Sequence, residues 1–225
     1  MSPSFLSDPS RDHDAIHSVA TAEQIDPEVL RRRVRSGSVV IMQRKDRYVG
    51  IGKGLRIKVN VNLGTSNVHS APDEEVKKAV VAERYGADTI SDLSMGGDLR
   101  KVRRLIFTHT SVPITTVPIY QTAAEHGIEA MTHDDILGTI RAQAREGERS
   151  MVIHCITRDI LESCRNEERV LGIVSKGGSI TAAFMLHHGC ENPFVEHFQE
   201  ILGIMRSHGI VLSLGNSARS GCIGD

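Results

Sequence analysis

From Leu55 onward, short Val/Ile-rich runs alternate with longer amphipathic stretches. "RIKVNVN" (56–62), "DTISDLS" (88–94), "ITTVPIY" (114–120), "SMVIHC" (150–155) and residues 210–214 read as strands. Helices are predicted over 72–85, 98–108, 134–146, 179–188 and 194–207. In the second of these, Leu99, Val102 and Ile106 share one face. In the third, Thr132 and Asp135 can cap the start, with Ile136 and Ile140 facing inward. The unit recurs about every thirty residues, the span of a βαβ unit. The class is therefore α/β with a parallel sheet. The strands do not alternate cleanly, which predicts helices on both faces.

Two architectures fit this pattern. One is a complete five-stranded doubly wound sheet. The other is a (β/α)8 TIM-type barrel truncated after about its fifth strand. Barrels need about 250 residues, and about 170 follow residue 55, so length favours the first. The polar residues favour the second, because every strand carries some at its carboxyl end. They are Asn60, Asn62, Thr65 and Ser66, then Asp92 and Ser94, then Tyr120 and Gln121, then His154, then Asn216, Ser217 and Arg219. A doubly wound sheet gathers ligand contacts at one switch point, whereas a barrel mouth draws on all its strands.

Ahead of this repeat, residues 1–54 form an extension and residues 55–225 a partial barrel. Residues 1–20 are polar and aperiodic, so disorder is expected there. Asp26-Pro27 starts a helix that ends near Ser36-Gly37. A strand is expected over 38–43 and a loop over 44–54.

Composition narrows the class only a little. Apolar residues make up 40 % of the 225, and the net charge is −1, so no bulk field draws nucleic acid or anionic membrane. The cluster Arg31, Arg32, Arg33 and Arg35 reads as a solvated helix face. No apolar run approaches the roughly 20 residues of a bilayer span, and the amino terminus lacks signal-peptide regions, so a cytoplasmic location is expected. Cys155, Cys164, Cys190 and Cys222 are too widely spaced for a zinc ribbon or cluster triplet, and free thiols are expected.

The run Ser175-Lys176-Gly177-Gly178-Ser179 leads into a helix. Backbone N–H groups, a helix N-terminus and Lys176 could together cradle a phosphate. The same glycines could simply turn the chain. His154 could equally be a hydrogen-bonded core histidine or a ligand contact. Tyr120 could pack, Asn62 could serve a turn, and Asp92 could tie strand ends together. His187-His188 complements a helix C-terminus rather than a metal.

Six segments, in order, carry a resemblance: "GLRIKVNVNLGTS", "YGADTISDLSMGGDL", "VPITTVPIYQ", "VIHC", "GIVSKGGSI" and "LSLGNSARSGCIGD". With "IDPEVLRRRVRSGSVVI" before them, they resemble the phosphomethylpyrimidine synthase family across residues 23–225. The resemblance implies a (β/α)8 barrel, usually a homodimer. It implies a carbon–carbon lyase that rearranges aminoimidazole ribotide by radical chemistry to hydroxymethylpyrimidine phosphate for thiamin, with no nucleic-acid or membrane partner. The implied cofactors are S-adenosylmethionine, a 4Fe-4S cluster and a divalent metal, zinc. Their cysteine and histidine ligands would lie beyond residue 225, so the chain is expected to be the front part of a longer enzyme. By position the ribotide-binding residues would be Asn62, Tyr120, His154, Ser175, Lys176, Gly177, Asn216, Ser217, Ala218 and Arg219. Ser91 stands where the family has Met, Lys176 where it has Arg, and Asn216 where it has Asp. "HAG" has become His154-Cys155-Ile156. The related hydroxybenzimidazole synthases share the ribotide, and a non-catalytic ribotide- or phosphate-binding protein is the remaining alternative.

Overall fold

The computed structural model describes residues 9–166 and 169–225. Residues 1–8 of the expected disordered segment lie outside these. The rest of that segment is not disordered. Helix α1 (Pro9–Glu23) buries Ala15, Ile16, Val19 and Ala20 against Leu30, Val39 and Ile41. Two of those four are alanines, which makes its apolar stripe faint in sequence. Helix α2 (Pro27–Arg35) begins as expected, with the Asp26 carboxylate accepting from the N–H groups of Glu28 and Val29.

Strand β1 (Val39–Arg44) is followed by β2 (Arg47–Gly52), where the sequence predicts a loop. The two form an antiparallel hairpin closed by the Arg44–Arg47 pair. Lys45 takes a positive φ of 51° at the turn, so the usual Asn-Gly or Gly signal of a tight hairpin is absent from the sequence.

The five repeat strands form one parallel sheet in chain order. They are β3 (Asn60–Leu63), β4 (Thr89–Asp92), β5 (Ile114–Thr116), β6 (Ser150–Ile153) and β7 (Val211–Leu214). In-order parallel strands leave no reversal and hence no switch point. The connecting helices are α3 (Pro72–Arg84), α4 (Leu99–His109), α5 (Pro118–His126), α6 (His133–Glu146), α7 (Arg158–Asn166), α8 (Lys176–His188), α9 (Pro193–Glu196) and α10 (Phe198–His208). Thr132 and Asp135 form the expected capping box on α6.

Among the described residues the two large helix-packed clusters lie on one face of the sheet, while on the other Val211 packs on Met42 and Val49 of the hairpin. Leu63, Ile90 and Ile114 pack on Ala79, Ala82, Val102 and Ile106 of α3 and α4. Met151 and Ile153 pack on Ile136, Ile140, Phe184 and Ile201 of α6, α8 and α10. Alternate strand positions bring Asn60, Asn62, Thr89, Ser91, Thr115 and Ser150 to the opposite face. There Asn60 Oδ1 accepts from the Thr89 and Ser91 hydroxyls, and Asn60 Nδ2 donates to Asn62 Oδ1. The irregular alternation in the sequence thus reflects a polar face, not a second helix layer.

Three further expectations are corrected. The run 114–120 is strand only to Thr116, because Pro118 opens α5 at its first turn. The stretch after 157, read from the sequence as an irregular link to the glycine run, contains α7. The helix expected over 194–207 breaks at His197 into α9 and α10.

Candidate functional site at the carboxyl ends of the strands

His154 follows β6 and continues its polar register, so its ring stands over the carboxyl edge of the sheet. The residue is 6 % exposed and its Nδ1 has no hydrogen-bond partner. Two glycines make room for the ring. A Cβ on Gly177 would lie 2.1 Å from His154 Cε1, and one on Gly215 would lie 2.8 Å from Nε2. Asn192, itself fully buried, donates through Nδ2 to the carbonyls of His154 and Ile156 at 2.7 Å each. Burial lowers the His154 pKa to about 4, with the Arg219 charge adding to the effect. The imidazole is therefore neutral near pH 7, with an unmatched ring nitrogen in a buried site.

Gly177 links His154 to Tyr120, and the Arg219 charge acts on both rings. Tyr120, on α5, is 8 % exposed. Burial raises its phenol pKa, while the Gly177 backbone N–H and Arg219 pull it back. The Lys176 ammonium sits 4.5 Å from the centre of the Tyr120 ring, and partial burial lowers its pKa.

The glycine run is not the open loop the sequence suggests. Helix α8 already begins at Lys176, with Ser175 as its cap. The Ser175 hydroxyl accepts from the Gly178 N–H, and the Ser175 carbonyl accepts from the Ser179 N–H. The Gly177 N–H faces Tyr120. Few N–H groups remain free to form a nest. The glycines serve close packing instead. Gly177 packs against His154, and Gly178 lies so near the Ser217 carbonyl that a Cβ there would come within 2.0 Å of its oxygen.

The loop 215–225 carries Asn216 and Arg219 toward solvent, with Ser217 buried and Ala218 half-buried. It is fastened by Arg169, whose guanidinium donates to the carbonyls of Ala218 and Arg219 at 3.0 Å each. Asp225 accepts from the N–H groups of Val170, Leu171 and Gly221, which holds its pKa down to about 2. Asn62 and Ser91 pair in register on the polar sheet face. Both neighbour Asn60, which sequence alone marks only as a polar strand residue. Sequence reasoning misses Asn192, Arg169 and Asp225 as well. Of these, only Asn192 has a local signal, as an Asn-Pro helix start.

The cysteines do not suit an iron–sulfur cluster. Cys155, Cys164, Cys190 and Cys222 are free, and no three of them form a ligand group among the described residues. Burial pushes the Cys155 thiol up to about 11 and raises that of Cys190, against the thiolate a cluster requires. Among the described residues no helix is long and apolar enough to cross a membrane.

Relatives place this geometry in context. The family model described as the radical SAM ThiC family matches residues 9–225. A phosphomethylpyrimidine synthase of Methanopyrus kandleri is 45 % identical over 94 % of this chain and 52 % of its own length. One of Desulfotalea psychrophila is 44 % identical over 92 % of the chain and 50 % of its own length. One of Dehalococcoides mccartyi is 41 % identical over 93 % and 51 %. The chain spans about half the length of these curated relatives. With the family matched along nearly all of its residues, the chain belongs to the radical SAM ThiC family.

Proposed function

We propose that this chain supplies the ribotide-holding part of a phosphomethylpyrimidine synthase, acting on aminoimidazole ribotide in cytoplasmic thiamin biosynthesis. The observation that carries the reading is the buried, unpartnered Nδ1 of His154, set beside Tyr120 and Arg219. A buried polar atom left without a partner costs stability, on the order of 1–3 kcal/mol. A ligand group that reaches it recovers that cost. The neutral imidazole and the Tyr120 phenol suit ribose hydroxyls and an imidazole amine, while Arg219 suits phosphate. Asn62, Ser91 and Asn60 extend the polar surface across the sheet. Ser175 and Gly177 act by shaping the pocket, and Lys176 supplies charge.

The in-order parallel strands and the polar face opposite the helix clusters support a further reading. They are what the first five strands of a (β/α)8 barrel would present, the polar face being the barrel interior. A homodimer of the complete barrel accords with the family resemblance. The radical chemistry of S-adenosylmethionine at a 4Fe-4S cluster is not assigned to any residue of this chain, because the cysteines do not fit a cluster. The residues around His154 bind, orient and exclude water.

The test is calorimetric titration of the chain with aminoimidazole ribotide. Saturable binding is expected, weakened about tenfold by His154→Gln and by Arg219→Met, the loss of one hydrogen bond or charged contact each. Failure to saturate at millimolar ligand, or affinity indifferent to both substitutions, would overturn the reading.

A further inference from the structure

A second group of side chains stands in the helix layer, apart from the residues gathered at His154. His133 opens α6, Glu196 ends α9, and His197 occupies the break between α9 and α10. One donor atom from each lies within 4.8 Å of the others. His133 Nδ1 is 3.4 Å from His197 Nε2 and 3.4 Å from Glu196 Oε2. A tetrahedral ion with bonds of about 2.0–2.1 Å sets its donors about 3.3–3.4 Å apart. Two of the three edges already have that length. The third can close by rotation of Glu196, whose side chain is 43 % exposed.

The far sides of both rings carry partners. His197 Nδ1 lies 3.7 Å from Glu200 Oε2, and Arg141 pairs with the same glutamate. His133 Nε2 lies 3.8 Å from Cys190 Sγ. With the protons on those outer nitrogens, the inward Nδ1 of His133 and Nε2 of His197 present lone pairs to one point. A carboxylate oxygen joins them there. Three lone-pair donors this close repel unless a proton or a metal cation sits among them. A carboxylate behind a metal-facing imidazole is the usual device that fixes its tautomer. The His133 ring is also held in place, 5.5 Å from Phe184 and edge-on to His197 at 5.5 Å.

We infer that His133, Glu196 and His197 form a binding site for a divalent transition metal, zinc by its two-imidazole, one-carboxylate donor set, with a fourth position open to water. These residues are distinct from the cysteines and from every residue assigned to the ribotide. The inference therefore stands or falls independently of the proposed function. The bound ion would tie the start of α6 to the α9–α10 break.

The test uses the metal alone on the whole chain. Co2+ titrated into metal-free protein should give one equivalent of four-coordinate absorption, bleached by equimolar Zn2+. His133→Gln and His197→Gln should each weaken binding about 100-fold, and Glu200→Gln about tenfold, the range for losing a ligand's outer partner. His187→Gln should leave it unchanged. Zn2+ added to the unsubstituted chain should shift the ring-nitrogen NMR signals of two of its 11 histidines, which guards against a variant that fails to fold. The inference is overturned by absence of binding at 1 mM Co2+ (about the weakest affinity worth assigning), by unaltered affinity in either histidine variant, or by a sulfur-to-cobalt band lost in Cys190→Ser.

Discussion

The two ends of the sheet differ in how their polar groups are engaged. At the amino end most buried charges meet partners, although the Glu148 carboxylate oxygens accept no hydrogen bond and Arg149 Nε donates none. Arg44, on the hairpin, donates to the Val112 carbonyl at 2.7 Å, to the Thr110 hydroxyl at 3.2 Å and to the Phe107 carbonyl. Asp88 accepts from Arg56 and from the Val59 N–H, and Lys58 pairs with Glu23 of α1 at 2.8 Å. Glu148, just ahead of β6, lies 3.2 Å from the Arg103 guanidinium. At the carboxyl end, His154 keeps an unpartnered nitrogen and Lys176 has an aromatic face in place of a carboxylate. The first end holds the molecule together and the second is left open for a ligand, the division of labour known for βα-repeat folds.

The largest test of this contrast is Arg44→Met. It strips three acceptors of their donor and should cost about 3–5 kcal/mol, as for breaking a buried charged network. Urea unfolding would read this. A loss below about 1 kcal/mol would mean that the hairpin contributes little at that end.

Gly177→Val comes next. Its side chain would meet the His154 ring, so a cost of about 1–3 kcal/mol is expected, together with loss of ribotide binding in the calorimeter. Binding that survives would show that His154 can move aside.

The third test is acidity. The His154 pKa falls from 6.5 in the unfolded chain to about 4 when folded. The unfolded state therefore binds the proton first, and this group's stabilising contribution is fully present above pH 6.5 and lost as pH falls towards 4. Glu148 acts in the reverse sense, since burial pushes it up to about 8 and its contribution is lost as pH rises from 4.5 towards that value. Comparing the chain with His154→Gln cancels Glu148. The difference in unfolding free energy should change by on the order of 2–3 kcal/mol between pH 7 and 4, and a flat difference would contradict the buried setting of the ring.

The smallest effect belongs to Lys176→Ala. The residue is exposed and pairs with no carboxylate among the described residues, so stability should shift by less than about 0.5 kcal/mol, while phosphate affinity followed by NMR should drop only a few-fold. Complete loss of phosphate binding would make Lys176, rather than the packing around Gly177, the main anion contact.

Much of the fold is legible because periodicity and capping are local. The five parallel strands and the Asp26 and Thr132 caps follow from neighbours a few residues apart, whereas Asn60, expected at a carboxyl end, opens β3, and Tyr120 and Gln121 lie on α5 rather than at a strand end. Where the sequence misleads, a distant partner decides. The faint, alanine-containing stripe of α1 becomes a packed helix face because Leu30, Val39 and Ile41 cover it. The turn at Lys45 closes without a glycine because Arg44 is anchored in the loops below the sheet.

The α/β class and the family can both be read from the chain one residue after another. Apolar spacing and ordered motifs are properties of near neighbours, so they need no coordinates. Other features exist only once the layers have stacked. Helices cover one sheet face, Gly177 and Gly178 pack rather than cradle, and Asn192, Arg169 and Asp225 hold the site. His133 meets His197 across 64 residues. Contacts between groups so far apart depend on how the helices settle on the sheet, and no local pattern encodes that.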